Sequence, residues 1–391
     1  MIVVIADDFT GAAELGGLGL RYGMSVEIET EVANDCKADL LIIATNTRSK
    51  TNLEAAEEIY KATNSLKKLK IDWVYKKTDS VMRGHILEEL TSLMKELKRK
   101  NALLVPANPT LGRTIKNGRY FINNIPLHET GFSEDPEFAL SSSDVLELLG
   151  TSEKVKTTVI DPGDPIPAGT VAIGQASEYK DLIIWAKTVC KDTLPAGAAE
   201  FFAALIELNG FSSKRENTFK PVTLGAVKLY VCGSSFDQSR SAIEQAKKEG
   251  KSVCEMPDEL FNNSSSQNEF LERWTLDVLS VLKENNSAIV AISQPIVYKP
   301  GFAKRLRELT AQLIKKVLSK TLVNELFIEG GATTSEIIRT INYKKFMLLN
   351  EIAPGVIRMN VEEDPDVYIT IKPGSYSWPD VIWNLNNDNK F

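Results

Sequence analysis

Short apolar, β-branched runs alternate with stretches of helical periodicity along almost the whole chain, and this alternation narrows the fold more than any other feature. Ile2–Ala6 is the first such run, followed by a helical stretch over Ala12–Tyr22 that Gly23 can stop. Leu40–Thr45, Trp73–Lys76, Ala102–Pro106 and Val171–Gly174 read as further strands. Asn52–Leu69, Ile86–Lys98 and Ser177–Val189 read as helices, with another after Gly197. Strands that alternate with helices predict an α/β fold, a mostly parallel sheet covered by helices.

Two segments interrupt the pattern. Residues 107–168 are rich in Pro, Gly, Asn, Asp and Ser, and are expected to form a long insertion without regular elements. Residues 209–225, NGFSSKRENTFKPVTLG, are polar and broken by Gly and Pro, which marks a domain boundary. Beyond it a second series begins, with strands expected over Lys228–Cys232, Ala288–Ser293, Leu326–Ile328 and Tyr368–Lys372. Its helices are expected over Gln238–Glu249, Glu269–Glu284, Phe302–Leu318 and Thr333–Ile341, and the polar tail from Asn384 is expected to fray. Two domains follow, 1–215 and 224–391.

Composition removes several function classes. Lys plus Arg number 46 against 52 Asp plus Glu, a net charge of 46 − 52 = −6. A mildly acidic chain argues against nucleic acid as partner and against a polybasic membrane patch. No apolar run approaches the ~18 residues of a membrane span, and the first residues meet acid at Asp7 without a basic leader. The four cysteines show neither a CxxC pair nor framework spacing, so a reduced, cytoplasmic protein is expected. With only His85 and His128, a His-rich zinc site is excluded.

In open parallel sheets ligands bind beyond the carboxyl ends of strands, so the residues after each strand carry the functional information. After the first strand stand Asp7 and Asp8, which can accept a proton from a hydroxyl, hold Mg²⁺, or simply cap the next helix. Arg48 follows the second strand and suits an anion. After the third come Lys76, Asp79 and Arg83, a concentration of charge in which Arg83 can hold a carboxylate in two parallel bonds. Arg113, between Gly112 and Thr114, is a further anion contact, whereas Asn117-Gly118 alone signals a turn. In the second half, Gly233-Ser234-Ser235, Gly330-Gly331-Ala332-Thr333 and Gly374-Ser375 each follow a strand. Glycine lets backbone approach a phosphate, and a helix N-terminus offers N–H donors. Gly250-Lys251-Ser252 is not the end of a phosphate loop, because position 245 is Gln and the segment closes a helix. Gly17 and Gly19 lie inside the first helix and are read as packing glycines. His85 is read as a loop hydrogen-bonding residue.

In order, ADDFTGAAE at 6–14, TNTRS at 45–49, YKKTDSVMRG at 75–84, PANPTLGRTIKNG at 106–118 and PLHETGFSEDP at 126–136 resemble the four-carbon acid sugar kinase family. LYVCGSS at 229–235, LFIEGGATTSE at 326–336 and IKPGSYS at 371–377 continue the resemblance more loosely. The resemblance implies two domains with the active site in the cleft between them. It also implies ATP-dependent phosphorylation, with Mg²⁺, of the terminal hydroxyl of an erythronate, threonate or oxo-tetronate. Asp7, Asp8, Lys76, Asp79, Arg83 and Arg113 would face the acid, and Ser234, Gly330, Gly331, Thr333 and Gly374 the nucleotide. Asp8 is the expected base, with Asp7 its rival, and Arg83 helped by Lys76 the expected carboxylate grip. A homodimer is in keeping with enzymes of this kind. Two departures fall on the nucleotide side. Ala332 stands where the family has an acidic residue, and Lys372-Pro373-Gly374-Ser375-Tyr376-Ser377 replaces a more glycine-rich motif. They motivate the rival reading, a non-catalytic sugar-acid or nucleotide-binding protein on the same scaffold. A phosphohydrolase is disfavoured, since Phe9 occupies the second carboxylate's place in an Asp-x-Asp motif.

Overall fold

A computed structural model describes residues 1–33, 36–134, 138–213, 222–233, 236–262, 265–295, 297, 299, 301–374 and 376–383. The chain divides into two compact units, Met1–Arg215 and Glu216–Phe391.

The first unit runs β1 (Ile2–Ala6), α1 (Phe9–Arg21), β2 (Val26–Glu29), β3 (Leu40–Ala44), α2 (Asn52–Leu66), β4 (Trp73–Lys77), α3 (Ile86–Glu96) and β5 (Asn101–Val105). It continues with β6 (Arg113–Lys116), β7 (Arg119–Ile122), β8 (Ile125–Pro126), α4 (Val145–Leu149), β9 (Lys156–Ile160), β10 (Thr170–Gly174), α5 (Tyr179–Thr188), β11 (Thr193–Gly197) and α6 (Ala199–Leu208). Its main sheet has the order β2-β3-β1-β4-β11-β5-β10-β9, every pair parallel. Every residue of β1, β3 and β5 is buried, as strands covered on both faces must be. The chain leaves β1 toward β3 on one side and reaches β4 on the other. The strand order therefore reverses at β1, and the crevice beyond its carboxyl end is where such sheets bind ligands. α1 crosses close to the sheet because of Gly19. A Cβ there would lie 2.6 Å from Leu40 Cδ2 and 2.9 Å from Val26 Cγ2, so the glycine is a packing residue.

The insertion at 107–168 is more regular than its composition suggests. β6, β7 and β8 form a small antiparallel sheet. Asn117 and Gly118, at φ 49° and 71°, make the two-residue turn that joins β6 to β7 with the twist of a hairpin. Strands of two to four residues carry too little alternation to be recognised by pattern. β2, β9 and β11 were likewise not legible in the sequence.

The second unit runs β12 (Lys228–Cys232), α7 (Asp237–Lys248), β13 (Val253–Glu255), α8 (Asp258–Phe261), α9 (Gln267–Asn285), β14 (Ser287–Ala291) and α10 (Phe302–Leu318). It closes with β15 (Glu325–Glu329), α11 (Gly331–Ile341), β16 (Lys345–Ala353), β17 (Val356–Val361), β18 (Tyr368–Lys372) and α12 (Asp380–Trp383). Its strands lie in the order β13-β14-β12-β15-β18-β17-β16. β13 to β18 pair in parallel, and the β16–β17 hairpin, unforeseen in the sequence, adds antiparallel strands. Here the order reverses at β12, next to β15. Tyr230 stacks on Phe327 at 4.6 Å and meets the edge of Trp383, tying these two strands to the C-terminal helix. No helix among the described residues is long and apolar enough to cross a membrane.

Candidate active site

In the first unit the loops after β1, β3 and β4 meet at one cluster of charge. Asp8 leaves β1 in extended conformation and caps α1, its Oδ1 accepting the Gly11 N–H at 2.7 Å. The Asp7 carbonyl accepts the Thr47 N–H at 3.0 Å, which draws the loop after β3 alongside. Arg48 is thereby placed between carboxylates. Its Nε donates to Asp7 Oδ2 at 2.8 Å, and its Nη1 lies 2.9 Å from Asp8 Oδ2 and 3.7 Å from Asp79 Oδ1. After β4 the chain turns tightly, with Met82 at φ 65°, and Arg83 folds back onto Asp79. Arg83 Nε and Nη2 donate to the two oxygens of Asp79 at 2.8 and 2.9 Å.

The electrostatics separate the adjacent carboxylates. Burial pushes the Asp7 carboxyl up, but Arg48 and Lys76 outweigh it and hold the group below its ordinary range. For Asp8 burial wins: with Asp7 adding to it and Arg48 opposing, the carboxyl is raised. Asp79 is also opposed by burial, and the charges of Arg83 and Arg48 hold it far below the carboxylate range. Neighbouring acids driven in opposite directions are the usual sign of different roles. Asp7 Oδ1 is buried and has no hydrogen-bond partner among the described residues.

The structure corrects the expected place of Lys76. Its side chain is 0% exposed and pairs with Glu89 of α3 at 2.8 Å, so it is no free grip for a substrate. Successive strand residues face opposite sides. Lys77 is the one on the side of α1, 3.1 Å from Glu14. A Cβ on Gly11 would lie 3.3 Å from Lys77 Nζ, and the Gly11 N–H donates to Asp8, so this ammonium borders the aspartate pair. Strand alternation was the signal that could have chosen Lys77 over Lys76. Arg83 is in the cluster, but its two-pronged edge is committed to Asp79 instead of standing open for a ligand. Arg113 is brought to the loop after β4 by the small sheet, its Nη1 donating to Ser80 Oγ. His85 bonds through Nε2 to the Lys50 carbonyl, the loop role expected of it.

In the second unit the carboxyl ends of β12, β15 and β18 lie side by side, with Cys232, Glu329 and Lys372 in register. Glu329 and Lys372 are buried and paired at 2.8 Å. Above them Gly330, at φ 89°, donates its N–H to the Lys372 carbonyl at 3.0 Å and opens α11. Gly331, Ala332 and Thr333 form the first turn of that helix, where backbone N–H groups have no helical partner. Gly233 comes so close that a Cβ on it would lie 2.8 Å from Thr333 Oγ1. Gly374 follows β18. Thr334 Oγ1 turns back to the Gly330 carbonyl at 2.9 Å, and Ala332 is exposed on the same turn. Ser234 lies outside the described residues. Glycines at adjacent strand ends beside a helix N-terminus have the chemistry of a phosphate cradle.

Two family models match the chain. One, described as a sugar-binding N-terminal domain, matches residues 2–187, and the other, a nucleotide-binding C-terminal domain, matches residues 229–376. The chain belongs to the four-carbon acid sugar kinase family. A D-threonate kinase of Salmonella typhimurium is 26% identical, over 96% of this chain and 95% of its own. A 3-oxo-tetronate kinase of Haemophilus influenzae is 25% identical, over 97% and 98%. A D-erythronate kinase of Heliobacterium modesticaldum matches a smaller part, 27% identical over 45% of this chain and 41% of its own. Solved structures of a Salmonella typhimurium and a Haemophilus influenzae protein share the fold, with TM-scores of 0.75 and 0.70. Their identities are 20% and 23%, and each comparison covers 98% of both chains.

Proposed function

We propose that this family member is an ATP-dependent kinase that phosphorylates the terminal hydroxyl of a four-carbon sugar acid, of the threonate, erythronate or 3-oxo-tetronate type. The observation that carries the reading is the Asp7–Asp8 pair at the strand-order reversal, both paired to Arg48, with burial raising Asp8 while Arg48 and Lys76 hold Asp7 low. Phosphoryl transfer asks a protein mainly for positioning and charge stabilisation. Asp8, whose carboxyl is raised by burial, accepts the proton of the attacking hydroxyl. Its two oxygens already accept from Gly11 and Arg48, and each keeps a lone pair for the substrate. Asp7 stays ionised and holds Arg48 in place. The first turn of α11 and the loops at Gly233 and Gly374 take the ATP phosphates. The close approach of Gly233 to Thr333 fits this use, since a side chain there would fill the cradle.

Magnesium, entering with ATP, neutralises phosphate charge. Among the described residues the trio of acid and thiol groups near enough to share an ion is Glu27, Glu29 and Cys36, which belongs to the first unit and not to the cradle. No protein ligand is therefore assigned to it. Ala332 in the first turn of α11 is the observation that favours the non-catalytic rival. One assay separates the two: ADP release from Mg-ATP against four-carbon sugar acids of both configurations. Acid-dependent release supports the kinase, and silence across the panel removes it.

Two results are expected once the substrate is known. Arg48→Met removes a cation beside Asp8 and so raises that carboxyl further. Activity that needs ionised Asp8 is then lost at higher pH, and the acid limb of the kcat profile moves up by about one pH unit. An unmoved limb would show that Asp8 is not the group titrating. Gly233→Ala displaces Thr333 from the cradle and should raise the KM for ATP about tenfold while leaving the KM for the acid unchanged. Equal changes in both would argue against a phosphate site at this glycine.

A further inference from the structure

The end of the first unit's sheet opposite the aspartate pair holds a cavity of about 590 Å³, the size of a small-molecule site. It lies where β1 and β4 begin. Ile2 pairs in register with Trp73, and both are in its wall. Ile2 and Asp7 stand at opposite ends of β1, about 16 Å apart at ~3.3 Å per residue, so this cavity is distinct from the charge cluster described above.

The wall joins cations to apolar rings. The segment before β3 brings Lys37, and the loop between α2 and β4 brings Lys68 and Lys70. All three are exposed, and none makes an ion pair with a described residue. A helix C-terminus favours a cation at Lys68, just past α2, but Lys37 and Lys70 precede strands and have no such reason to be basic. The two acids of the wall are already engaged. Asp39 Oδ2 accepts the Ser25 N–H at 2.9 Å and the Ser25 hydroxyl at 2.8 Å, and Asp72 lies 2.6 Å from the Met1 amino nitrogen. In a chain of net charge −6 the cavity is thus a local excess of positive charge. Beside the lysines stand Trp73 and Phe211. Trp73 rests on Phe202 of α6, ring centres 5.7 Å apart, which fixes its plane. Phe211 is 37% exposed although its N–H is tied to the Ile206 carbonyl at 3.2 Å, so a large ring is left facing water on a fixed backbone.

We propose that this cavity binds an aromatic phosphate monoester, its dianion among Lys37, Lys68 and Lys70 and its ring against Trp73 and Phe211. The cations select phosphate over carboxylate. No arginine lines the cavity, so the fork that fits a carboxylate in two parallel bonds is missing, whereas ammonium groups meet a phosphate as point charges. The rings select an organic ester over the free ion, because apolar surface gains nothing from inorganic phosphate. Binding here uses neither the aspartate pair nor the glycine cradle of the second unit, and it stands or falls independently of the kinase reading.

Calorimetric titration of the full-length protein at low salt, with phenyl phosphate, inorganic phosphate and benzoate in turn, tests this. Phenyl phosphate should bind at one site, about tenfold or more tighter than either of the others. Lys37→Gln, Lys68→Gln and Lys70→Gln combined should weaken it about tenfold, and because all three side chains are exposed the fold should stand. Phe211→Ala should weaken phenyl phosphate about fivefold and leave inorganic phosphate unchanged. Gly233→Ala, on the second unit's cradle, should change nothing. Absence of saturable phenyl phosphate binding at millimolar concentration overturns the proposal. So does binding that the triple lysine variant keeps, or that Gly233→Ala removes, since the ester would then sit elsewhere. Benzoate bound as tightly as phenyl phosphate overturns the choice of phosphate, and inorganic phosphate bound as tightly overturns the role of the rings.

Discussion

Asp8→Asn should lower kcat at least ~10²-fold with the fold intact. The substitution is clean because asparagine caps a helix about as well as aspartate. The Gly11 N–H keeps an acceptor and α1 keeps its start, while the proton acceptor and the charge facing Arg48 Nη1 are lost. Asp7 cannot take over, since the charges of Arg48 and Lys76 hold its carboxyl below the ordinary range, where it is a weaker base. Steady-state turnover at saturating acid and ATP is the measurement. A variant that keeps kcat within a few-fold of wild type would move the base elsewhere.

Glu325→Gln should cost the second unit about 3–5 kcal/mol, the usual penalty for stranding one partner of a buried ion pair. Glu325 is 0% exposed at the start of β15, and Arg358 of β17 donates to it from Nη2 at 2.6 Å and from Nε at 3.2 Å. The same carboxylate accepts the Gly225 N–H at 2.9 Å, and the guanidinium lies 3.8 Å from the centre of the Tyr368 ring. One side-chain pair thus ties the entry of this unit to β15, β17 and β18. Replacing both partners, Glu325→Leu with Arg358→Met, should cost less than the single change, because no buried charge is left alone. Urea unfolding followed through the buried Trp274 reports on this unit. A single substitution that costs under ~1 kcal/mol would show that the pair is solvated and weak.

Several determinants lay open in the sequence. The apolar runs of β1, β3 and β12 and the periodicity of α2 and α10 act locally, and these elements formed close to where they were expected. Asp7, Asp8, Asp79, Arg48 and Arg83 could be picked out because strand ends are where parallel sheets bind ligands. Gly19 could be read as a packing glycine because a fingerprint glycine would have followed the strand directly.

What stayed hidden depends on contacts between distant residues. The partner of each charge cannot be read from spacing. Arg83 turns back to Asp79 four residues away, whereas Arg48 reaches across forty-one residues to Asp7. Lys76 and Lys77 are adjacent and chemically alike, and only the side of β4 on which α3 packs decides that the first is sealed against Glu89. The insertion's hairpins are too short to show a period, yet they carry Arg113 and Phe132 to the loop after β4. The sequence by itself determined the two α/β series and the strand ends at which charge and glycine collect, because hydrophobic period and chain order are local properties. The tertiary structure alone decided which of two adjacent lysines is sealed and which aspartate is raised. Burial and pairing are sums over neighbours that the fold, not the chain order, brings together.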